Sequence, residues 1–364
     1  MKVKDVVAFL ESKAPVALQE DYDNSGLLAG NLQHDVTGVL ISLDCTEAVV
    51  EEAIRKKCNL IVSHHPVIFR GIKKLTGSNY VERTVMKAIR NDISLYAIHT
   101  NLDHVYDGVN LKMMEKLGIK NSRILLPKTG MLRKLAVFCP DEQSGKLKDA
   151  LFAAGAGHIG NYSECGFEVS GTGSFKPEEG SSPFSGEQGK RHAAAEVKIE
   201  VIYPAYREGE ILAAMKENHP YEEVAYDIYA LQNQWQEAGS GRIGELNEAM
   251  EEADFIDLIK SCFGVKMARF SPFLSKKVKK IAVCGGSGGF LLKTAIAKKA
   301  DVLVTSDIKY HEFFDPDGKI LLVDTGHYES EQFTIELLGD WLTKKFTTFA
   351  VRLTELNTNP INYR

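Results

Sequence analysis

The sequence predicts an α/β protein in which two similar α/β lobes form one duplicated mixed-sheet domain, interrupted by an α+β segment. Three observations lead to this prediction. Nearly continuous apolar runs alternate with amphipathic helical patterns over residues 38–118, which is typical of buried strands joined by helices. The same alternation returns over residues 279–346, and a different pattern of strands and helices fills residues 132–231. A chain of 364 residues also has the length of about two domains.

The first lobe contains a β-α-β unit. Its strands are predicted in GVLISLD, from residue 38, and NLIVSHH, from residue 59. The segment TEAVVEEAIRKKC between them predicts a helix with Thr46 as its N-cap. A helix at about 78–91, the strand ISLYAIHT and the helix GVNLKMMEKLG follow. Because such crossovers join parallel strands, we expect a parallel or mixed sheet.

The second lobe repeats this order and resembles the first in sequence. Strands are predicted in KKIAVCGG, DVLVTSD and KILLVDTG, with helices through LLKTAIAKKA and EQFTIELLGDWLTKKF. Residues 53–65 align without a gap to residues 295–307, with five of thirteen positions identical. This favours an internal duplication, although a shared helix-to-strand pattern alone also repeats such residues. We assign residues 1–130 and 240–364 to this domain.

Residues 131–239 are predicted to form the inserted domain. Strands in RKLAVFCP, AEVKIEVIYP and VAYDIYAL alternate with helices in SGKLKDALFAAGA and REGEILAAMKENHP. Two halves that each resemble a β-α-β unit predict a ferredoxin-like insertion. Residues 171–190 are rich in Gly, Ser and Pro, which predicts a long exposed loop.

Composition and charge argue against several classes of protein. No stretch approaches the roughly 18 apolar residues that a membrane span needs, and the first residues lack the pattern of a secretory signal. The six cysteines are scattered without a CxxC pair, so we expect reduced thiols and a cytoplasmic location. A formal charge of −5 gives no general attraction to nucleic acid, and the basic stretch 260–280 is interpreted as a solvated face.

Three clusters of ligand-type residues follow predicted strands. They are Ser63-His64-His65-Pro66, His99 to His104, and Asp324 to Glu331, and they contain five of the ten histidines. A pair of adjacent histidines alone is better explained by one core and one surface side chain, because neighbouring strand residues point to opposite faces. At a strand end, however, the two can diverge toward different ions. Strand ends in one sheet converge at its carboxyl edge, which favours a shared cleft.

The mixture of imidazoles and carboxylates indicates a metal site. His327 and Glu331 lie four residues apart at the start of a predicted helix, so they share one face. Such donors suit Zn²⁺, Fe²⁺ or Mn²⁺, and a glutamate can bridge two ions about 4 Å apart. We therefore predict two divalent metal ions per chain, with zinc expected and iron or manganese as alternatives. Paired ions of this kind promote hydrolysis of phosphate, amide or ring C–N bonds.

A glycine-rich segment follows the first strand of the second lobe. Gly285, Gly286, Ser287 and Gly288 precede a predicted helix, where backbone N–H groups can bind phosphate. The segment lacks the Lys-Ser/Thr of a P-loop and the spacing of a dinucleotide fingerprint. A tight structural turn is the favoured interpretation, and phosphate binding is the alternative.

The motifs SHHP, HTNLD, GHYESE and EDYDNSGL together resemble the Nif-three-like family, whose bacterial members are named GTP cyclohydrolase I type 2 homologues. The resemblance covers both lobes, with Tyr22 where many members carry Trp. HPYEEVAYDIYAL is similar to the PII/CutA-like insertion of the long bacterial form. This resemblance implies a dinuclear site in which His64 and Asp103 hold one ion, His65 and His327 hold the other, and Glu331 touches both.

The resemblance also implies a toroidal homohexamer with metal sites facing an internal cavity. Four further residues lie near the expected cleft and are candidates for supporting the ligands or contacting substrate: His99, Asp307, Tyr310 and His311. Ordinary packing is the alternative for each of them.

Three functions remain open from the sequence, of which the third is a metal-delivery or storage protein with easily exchanged ions. The first is a metal-dependent hydrolase acting on a nucleotide-like or phosphorylated substrate, as the name GTP cyclohydrolase suggests. The second is a non-catalytic metal-binding regulatory or scaffold hexamer that senses a small effector through its PII-like domain. Five protein ligands for two ions leave open coordination positions, which favours catalysis. No separate acid or base is assigned.

Overall fold

Two structural units make up the chain, and one is inserted into the other. A computed structural model describes residues 1–364. The first unit comprises Met1–Pro127 and Glu237–Arg364, and the second comprises Lys128–Gln236. The fold is mixed α/β, as the sequence predicts, and no helix combines the length and apolar character needed to cross a membrane.

Fifteen strands and eleven α-helices form these units. The strands are β1 Gly26–Ala29, β2 Gly38–Ser42, β3 Leu60–Ser63, β4 Ser94–Ala97, β5 Ser122–Lys128, β6 Leu132–Pro140, β7 Gly166–Phe175, β8 His192–Pro204, β9 Tyr226–Leu231, β10 Trp235–Glu251, β11 Arg269–Phe270, β12 Lys277–Val283, β13 Val302–Thr305, β14 Leu321–Asp324 and β15 Ala350–Leu353. The helices are α1 Val3–Lys13, α2 Glu47–Arg55, α3 Tyr80–Arg90, α4 Thr100–His104, α5 Val109–Lys116, α6 Ser144–Ala153, α7 Glu208–Asn218, α8 Glu252–Phe263, α9 Leu292–Ala297, α10 His327–Glu331 and α11 Thr334–Lys345.

The first unit contains two mixed sheets. Their strand orders are β1-β4-β3-β2-β15 and β11-β14-β13-β12-β10-β5. In the first sheet, β15, β2, β3 and β4 are parallel and β1 is antiparallel. In the second, β12, β13 and β14 are parallel and β11 is antiparallel to β14. The sheets therefore place four corresponding strands in the same order and direction.

Both faces of the first sheet are buried, which explains the continuous apolar runs of its strands. Along β2, Val39 and Ile41 pack into one core cluster and Leu40 into another. Since side chains alternate across a strand, each face of β2 contacts its own layer of helices and loops. Helix α2 is part of one of these layers. It starts where the sequence predicts, because the Thr46 side chain accepts a hydrogen bond from the Val49 backbone N–H.

The aligned segments of the two lobes share local geometry. Helices α2 and α9 are each followed by a lysine in the left-handed region, Lys57 with φ 56° and Lys299 with φ 57°. The next backbone N–H in each segment donates to an alanine carbonyl, from Cys58 at 2.9 Å and from Ala300 at 3.0 Å. The same hydrogen-bonded turn thus leads from helix to strand in both lobes. That the lobes arose by duplication stays a prediction.

The second unit contains an antiparallel sheet of four strands in the order β7-β8-β6-β9. Helices α6 and α7 pack on one face, where Leu147, Leu151, Ile211 and Met215 are fully buried. On the strands, Val137 and Ile199 belong to the same core. The chain order is therefore β-α-β-β-α-β.

The predicted loop over residues 171–190 begins later than expected. Residues 171–175 complete β7, which pairs with β8 down to the contact between Phe175 and His192. The long ladder with β8 outweighs the weak strand propensity of Gly and Ser. A Cβ at Gly173 would overlap the Glu196 carboxylate as it stands, so a larger residue there would require that side chain to move.

Candidate metal centre

The candidate ligands lie where parallel strands of both sheets end. His64 and His65 follow β3 directly, and Asp103 lies on α4, just after β4. His327 and Glu331 are the first and last residues of α10, which follows β14. The structure thus brings together residues that are up to 267 positions apart. Parallel strand ends share one edge within each sheet, and side chains from the edges of both sheets meet in this cluster.

Glu331 is the centre of this cluster. Its Oε2 atom lies 2.9 Å from His65 Nε2, 3.0 Å from His327 Nε2 and 3.8 Å from His64 Nε2. The two nitrogens of His65 and His327 are 3.3 Å apart. Two triads have ligand atoms within 4.8 Å of one another: His65, His327 and Glu331, and His64, Asp103 and Glu331. These groups could hold a metal ion.

The buried atoms of His64 and Asp103 indicate that a cation fits between these side chains. His64 Nε2 and Asp103 Oδ1 are 3.6 Å apart, and neither has a hydrogen-bond partner. His64 Nδ1 lies 2.8 Å from the Ile98 carbonyl oxygen, which only accepts, so the ring donates through Nδ1 and leaves a lone pair on Nε2. Two facing acceptors in a buried position are costly without a donor or cation between them. The donor set therefore fits a metal ion.

Carboxylates orient two of the histidines. His65 Nδ1 lies 2.7 Å from Asp44 Oδ1, and His327 Nδ1 lies 2.6 Å from Asp307 Oδ2. Asp44 lies two residues after β2 and Asp307 two residues after β13, so both carboxylates also follow parallel strands. A carboxylate on one ring nitrogen fixes the ring and makes the other nitrogen a better ligand. Asp307 is thus in a position to support His327.

His99 also borders the cluster. Its Nδ1 lies 2.7 Å from Asp23 Oδ1, and its ring centroid is 5.3 Å from that of His64. Ligand atoms of His64, His65 and His99 form a third close group. His99 thus lies beside the candidate ligands.

Burial and charge interactions together shift the pKa values of the cluster. Burial acts to raise the pKa of Glu331, but the charge and hydrogen bond of His327 outweigh it and hold that pKa well below its ordinary value. Burial and the charge of Glu331 raise the pKa of Asp103. Two carboxylates in one buried site repel each other, so a bound divalent cation would favour the ionised form of both.

The pKa values of two histidines are raised. Burial acts to lower the pKa of His65, but hydrogen bonds to Asp44 and Glu331 raise it to about 9. Burial likewise opposes the charge of Glu331 and the hydrogen bond to Asp307, which raise the pKa of His327 to about 11. Protons therefore compete with a metal ion for the same nitrogens.

The phosphate site predicted at residues 285–288 is not supported by the hydrogen bonds. The Gly285 N–H donates to Asn110 Oδ1, the Gly286 N–H to Ser330 Oγ and the Gly288 N–H to Thr305 Oγ1, at 3.0, 3.0 and 2.8 Å. These backbone donors are already used within the protein, so they form no open cradle for an anion. The Ser287 hydroxyl donates to Asp307 instead.

The glycine-rich segment makes room for Glu331. Gly286 has φ +62°, and a Cβ at this position would overlap Glu331 Oε1. A Cβ at Gly285 would lie 3.3 Å from Glu331 Cγ. The segment is thus a tight structural turn against which the central glutamate packs.

Tyr310 and His311 are not brought to the cluster. After Asp307 the buried Ile308 anchors the chain in the core, and residues 310–314 form a 3₁₀ helix on the surface. Tyr310 is 74% exposed and contacts His311 and Phe314. Neither residue lines the cavity beside the metal ligands.

That cavity has a volume of about 620 Å³. His65, Asp103, His327 and Glu331 line it. Its walls include apolar rings from Tyr22, Phe69 and Phe290 and polar groups from Glu20, His104, Ser240 and Ser287. The candidate ligands therefore face a space large enough for a small-molecule substrate.

Sequence reasoning missed Asp44 and Asp23. Asp44 is the polar residue that follows GVLISL, so it carried the same strand-end signal as His64. Asp23 lies within the EDYDNSGL motif, but its contact with His99 spans 76 residues. Only the fold reveals that pairing.

Comparison with known proteins decides the family. The model of Duf34/NIF3 (NGG1p interacting factor 3) matches residues 1–360. The chain belongs to the Duf34/NIF3 family. Two curated family relatives are each named GTP cyclohydrolase 1 type 2 homolog. The Halalkalibacterium halodurans protein is 43% identical over 88% of this chain and 87% of its own length, and the Bacillus subtilis protein is 38% identical over 99% and 98%.

Solved structures agree with this assignment to the Duf34/NIF3 family. A Bacillus cereus protein described as related to NIF3 is 38% identical, with a TM-score of 0.87 over 100% of this chain and 99% of that protein. A Staphylococcus aureus protein is 34% identical, with a TM-score of 0.80 over the same shares. The fold of this chain is therefore the fold of its family.

Proposed function

We propose that this Duf34/NIF3 protein is a metal-dependent hydrolase with a dinuclear centre. His64 and Asp103 would hold one ion, His65 and His327 the other, and Glu331 would contact both. The observation that carries this proposal is the position of Glu331 Oε2, within 3.0 Å of two histidine nitrogens and 3.8 Å of a third. Imidazole and carboxylate donors suit zinc, with iron and manganese as alternatives.

The reaction we propose is hydrolysis of a nucleotide-like or phosphorylated small molecule. When bound, two divalent ions supply Lewis acidity that activates water for attack on a phosphoryl or C–N bond. Asp44 and Asp307 hold the rings of His65 and His327 in place. The rings of Tyr22, Phe69 and Phe290 give the cavity an apolar side suited to a flat heterocycle. The name of the curated relatives, GTP cyclohydrolase 1 type 2 homolog, supports a nucleotide.

We also propose that the inserted unit is ferredoxin-like and that the chain assembles as a homohexamer. The order β-α-β-β-α-β and the strand order β7-β8-β6-β9 support the first proposal. The hexamer rests on the family resemblance alone, and the mass of the purified protein by light scattering tests it.

Metal content tests the dinuclear centre directly. We expect about two transition-metal ions per chain by elemental analysis of protein purified without chelators. Glu331→Gln removes a negative charge that both ions would share, so it should weaken the binding of both ions. Glu248→Gln, at an exposed glutamate, should leave the binding of both ions unchanged. Fewer than one ion per chain, or loss of one ion alone in Glu331→Gln, would contradict the proposal.

A substrate screen tests the reaction. Nucleotides and phosphate esters are incubated with wild type, His65→Ala and His158→Ala, the last at an exposed histidine in the inserted unit. We expect His65→Ala to lower turnover at least a hundredfold while His158→Ala retains it. Turnover that persists in His65→Ala would mean that the activity comes from another site or a contaminant.

A further inference from the structure

The inserted unit contains a cavity that the metal chemistry does not use. Its volume is about 330 Å³, which is at the small end of ligand-binding cavities. The end of β7, the loop that follows it, β8 and the chain after α7 supply the walls. Among the lining residues are three aromatic rings, four glutamates and one lysine: Phe175, Phe184, Tyr221, Glu178, Glu196, Glu222, Glu223 and Lys176.

The Tyr221 ring is inclined to each of the other two aromatic rings. The Tyr221 ring centroid lies 6.2 Å from that of Phe175 and 5.9 Å from that of Phe184, with interplanar angles of 57° and 48°. Because the rings in these pairs are not stacked face to face, ring faces remain available to a ligand in the cavity. Phe184 is 51% exposed, so its ring is accessible from solvent.

The charge around the rings is negative. Lys176 is the one cationic side chain among the lining residues, and its Nζ already lies 3.3 Å from Glu178 Oε1. Glu196, Glu222 and Glu223 therefore add negative charge that the lining itself does not neutralise. Aromatic faces and carboxylates both attract cations, so the two features favour the same kind of ligand.

The cavity walls are held in place by the protein itself. The Tyr221 hydroxyl donates to Glu196 Oε1 at 2.9 Å, and the Ser182 backbone N–H donates to Glu222 Oε1 at 2.7 Å. The Gly189 N–H donates to the Pro177 carbonyl oxygen at 2.8 Å, which closes the loop. A ligand would thus meet a formed site and lose little affinity to ordering.

We propose that this cavity binds a small organic cation with a weakly hydrated head, of the quaternary ammonium class. Hard divalent metal ions take oxygen ligands and keep their water, so they gain nothing from three aromatic walls. A quaternary ammonium group gains from both the rings and the carboxylates. The inserted unit is therefore a ligand-binding module in its own right.

Choline is the probe, and 3,3-dimethyl-1-butanol, which has the same shape without the charge, is the matched control ligand. Binding to the full-length protein is followed by isothermal titration and by tyrosine fluorescence. We expect choline to bind at least about tenfold more tightly than the neutral alcohol, and its affinity to fall with added salt. Equal binding of both compounds, or binding of Mg²⁺ or Mn²⁺ with none of choline, would overturn the proposal.

Two substitutions locate the site. Phe184→Leu keeps an apolar side chain but removes one aromatic face, and it should weaken choline by about three- to fivefold. Phe167→Leu is the control, because Phe167 is 65% exposed on β7 and does not line the cavity. Both positions are exposed, so both variants should fold. Equal affinity in Phe184→Leu and Phe167→Leu would show that choline binds elsewhere.

Discussion

At the residue scale, the central glutamate depends on a neighbour that has no side chain. Gly286 combines a left-handed backbone with contact against Glu331, and a Cβ there would overlap Oε1. Gly318 has nearly the same backbone conformation, with φ +65°, but a Cβ added there would have no atom within 4 Å. The two glycines therefore separate the cost of a strained backbone from the cost of displacing Glu331.

Gly286→Ala should weaken metal binding, and Gly318→Ala should not. Both substitutions place alanine in the left-handed region and should each lower the free energy of unfolding by about 1 kcal/mol. Only Gly286→Ala pushes Glu331 away from the histidines, so we expect its metal content to fall to less than half of wild type. Elemental analysis and urea unfolding measure the two effects. Full metal content in Gly286→Ala would mean that the glutamate does not need this position.

The candidate ligands were accessible to sequence reasoning, but the carboxylates that contact them were less so. His64, His65, His327 and Glu331 carry signals that local spacing reveals, because they follow strands or share a helix face. The hydrogen bond from Thr358 to Asp44, at 2.6 Å, joins residues 314 positions apart. No local pattern predicts a contact that depends on the whole chain being folded.

At the scale of elements, the loop before α3 is organised by one carboxylate. Glu82 accepts hydrogen bonds from the Thr76 and Ser78 backbone N–H groups at 2.8 and 3.1 Å, and from the Asn79 side chain at 2.8 Å. The backbone hydrogen bonds from Thr76 and Ser78 lower the pKa of Glu82 to about 2, from an ordinary value of 4.5. The ionised form is therefore preferred in the folded protein.

This predicts an acid-dependent loss of stability. The contribution of Glu82 is complete above its unfolded pKa of 4.5 and declines as the pH falls from there toward about 2. Glu82→Gln should reduce the free energy of unfolding at neutral pH and show a shallower decline across this window. Urea unfolding from about pH 6 to about pH 3, in chelator, compares it with wild type and Glu248→Gln. Identical slopes in Glu82→Gln and wild type would contradict the assignment.

Strand and helix patterns predicted the parallel strands β2, β3, β4, β12, β13 and β14. They did not predict the edge strands β5 and β15. The strand β15 joins the first sheet beside β2, although it comes from the C-terminal end of the chain. The strand β5 joins the second sheet beside β10, although it comes from the N-terminal half. Both lie at sheet edges, where partly exposed side chains give weak periodicity. Each of these strands joins its sheet by pairing with a strand distant in the sequence, which a local pattern does not predict.

At the scale of the whole molecule, the candidate centre joins the two sheets of the first unit. His64, His65 and Asp103 follow strands of one sheet, and His327 and Glu331 follow a strand of the other. A metal ion held by both sets would bind the folded unit and not the unfolded chain. Binding then adds directly to the stability of that unit.

Removing the metal should therefore loosen the first unit and leave the inserted unit unchanged. An ion at a hundredfold excess over its Kd adds about 2.7 kcal/mol, which corresponds to roughly 5 to 10 °C in Tm. Hydrogen exchange should rise after chelation in β3, α4 and α10 and stay constant in β6 to β9, because none of the five ligands lies in the inserted unit. His65→Ala should show smaller changes on chelation, since one of its ions is already weakened. Equal increases in exchange across both units would mean that chelation destabilises the protein by a route other than this centre.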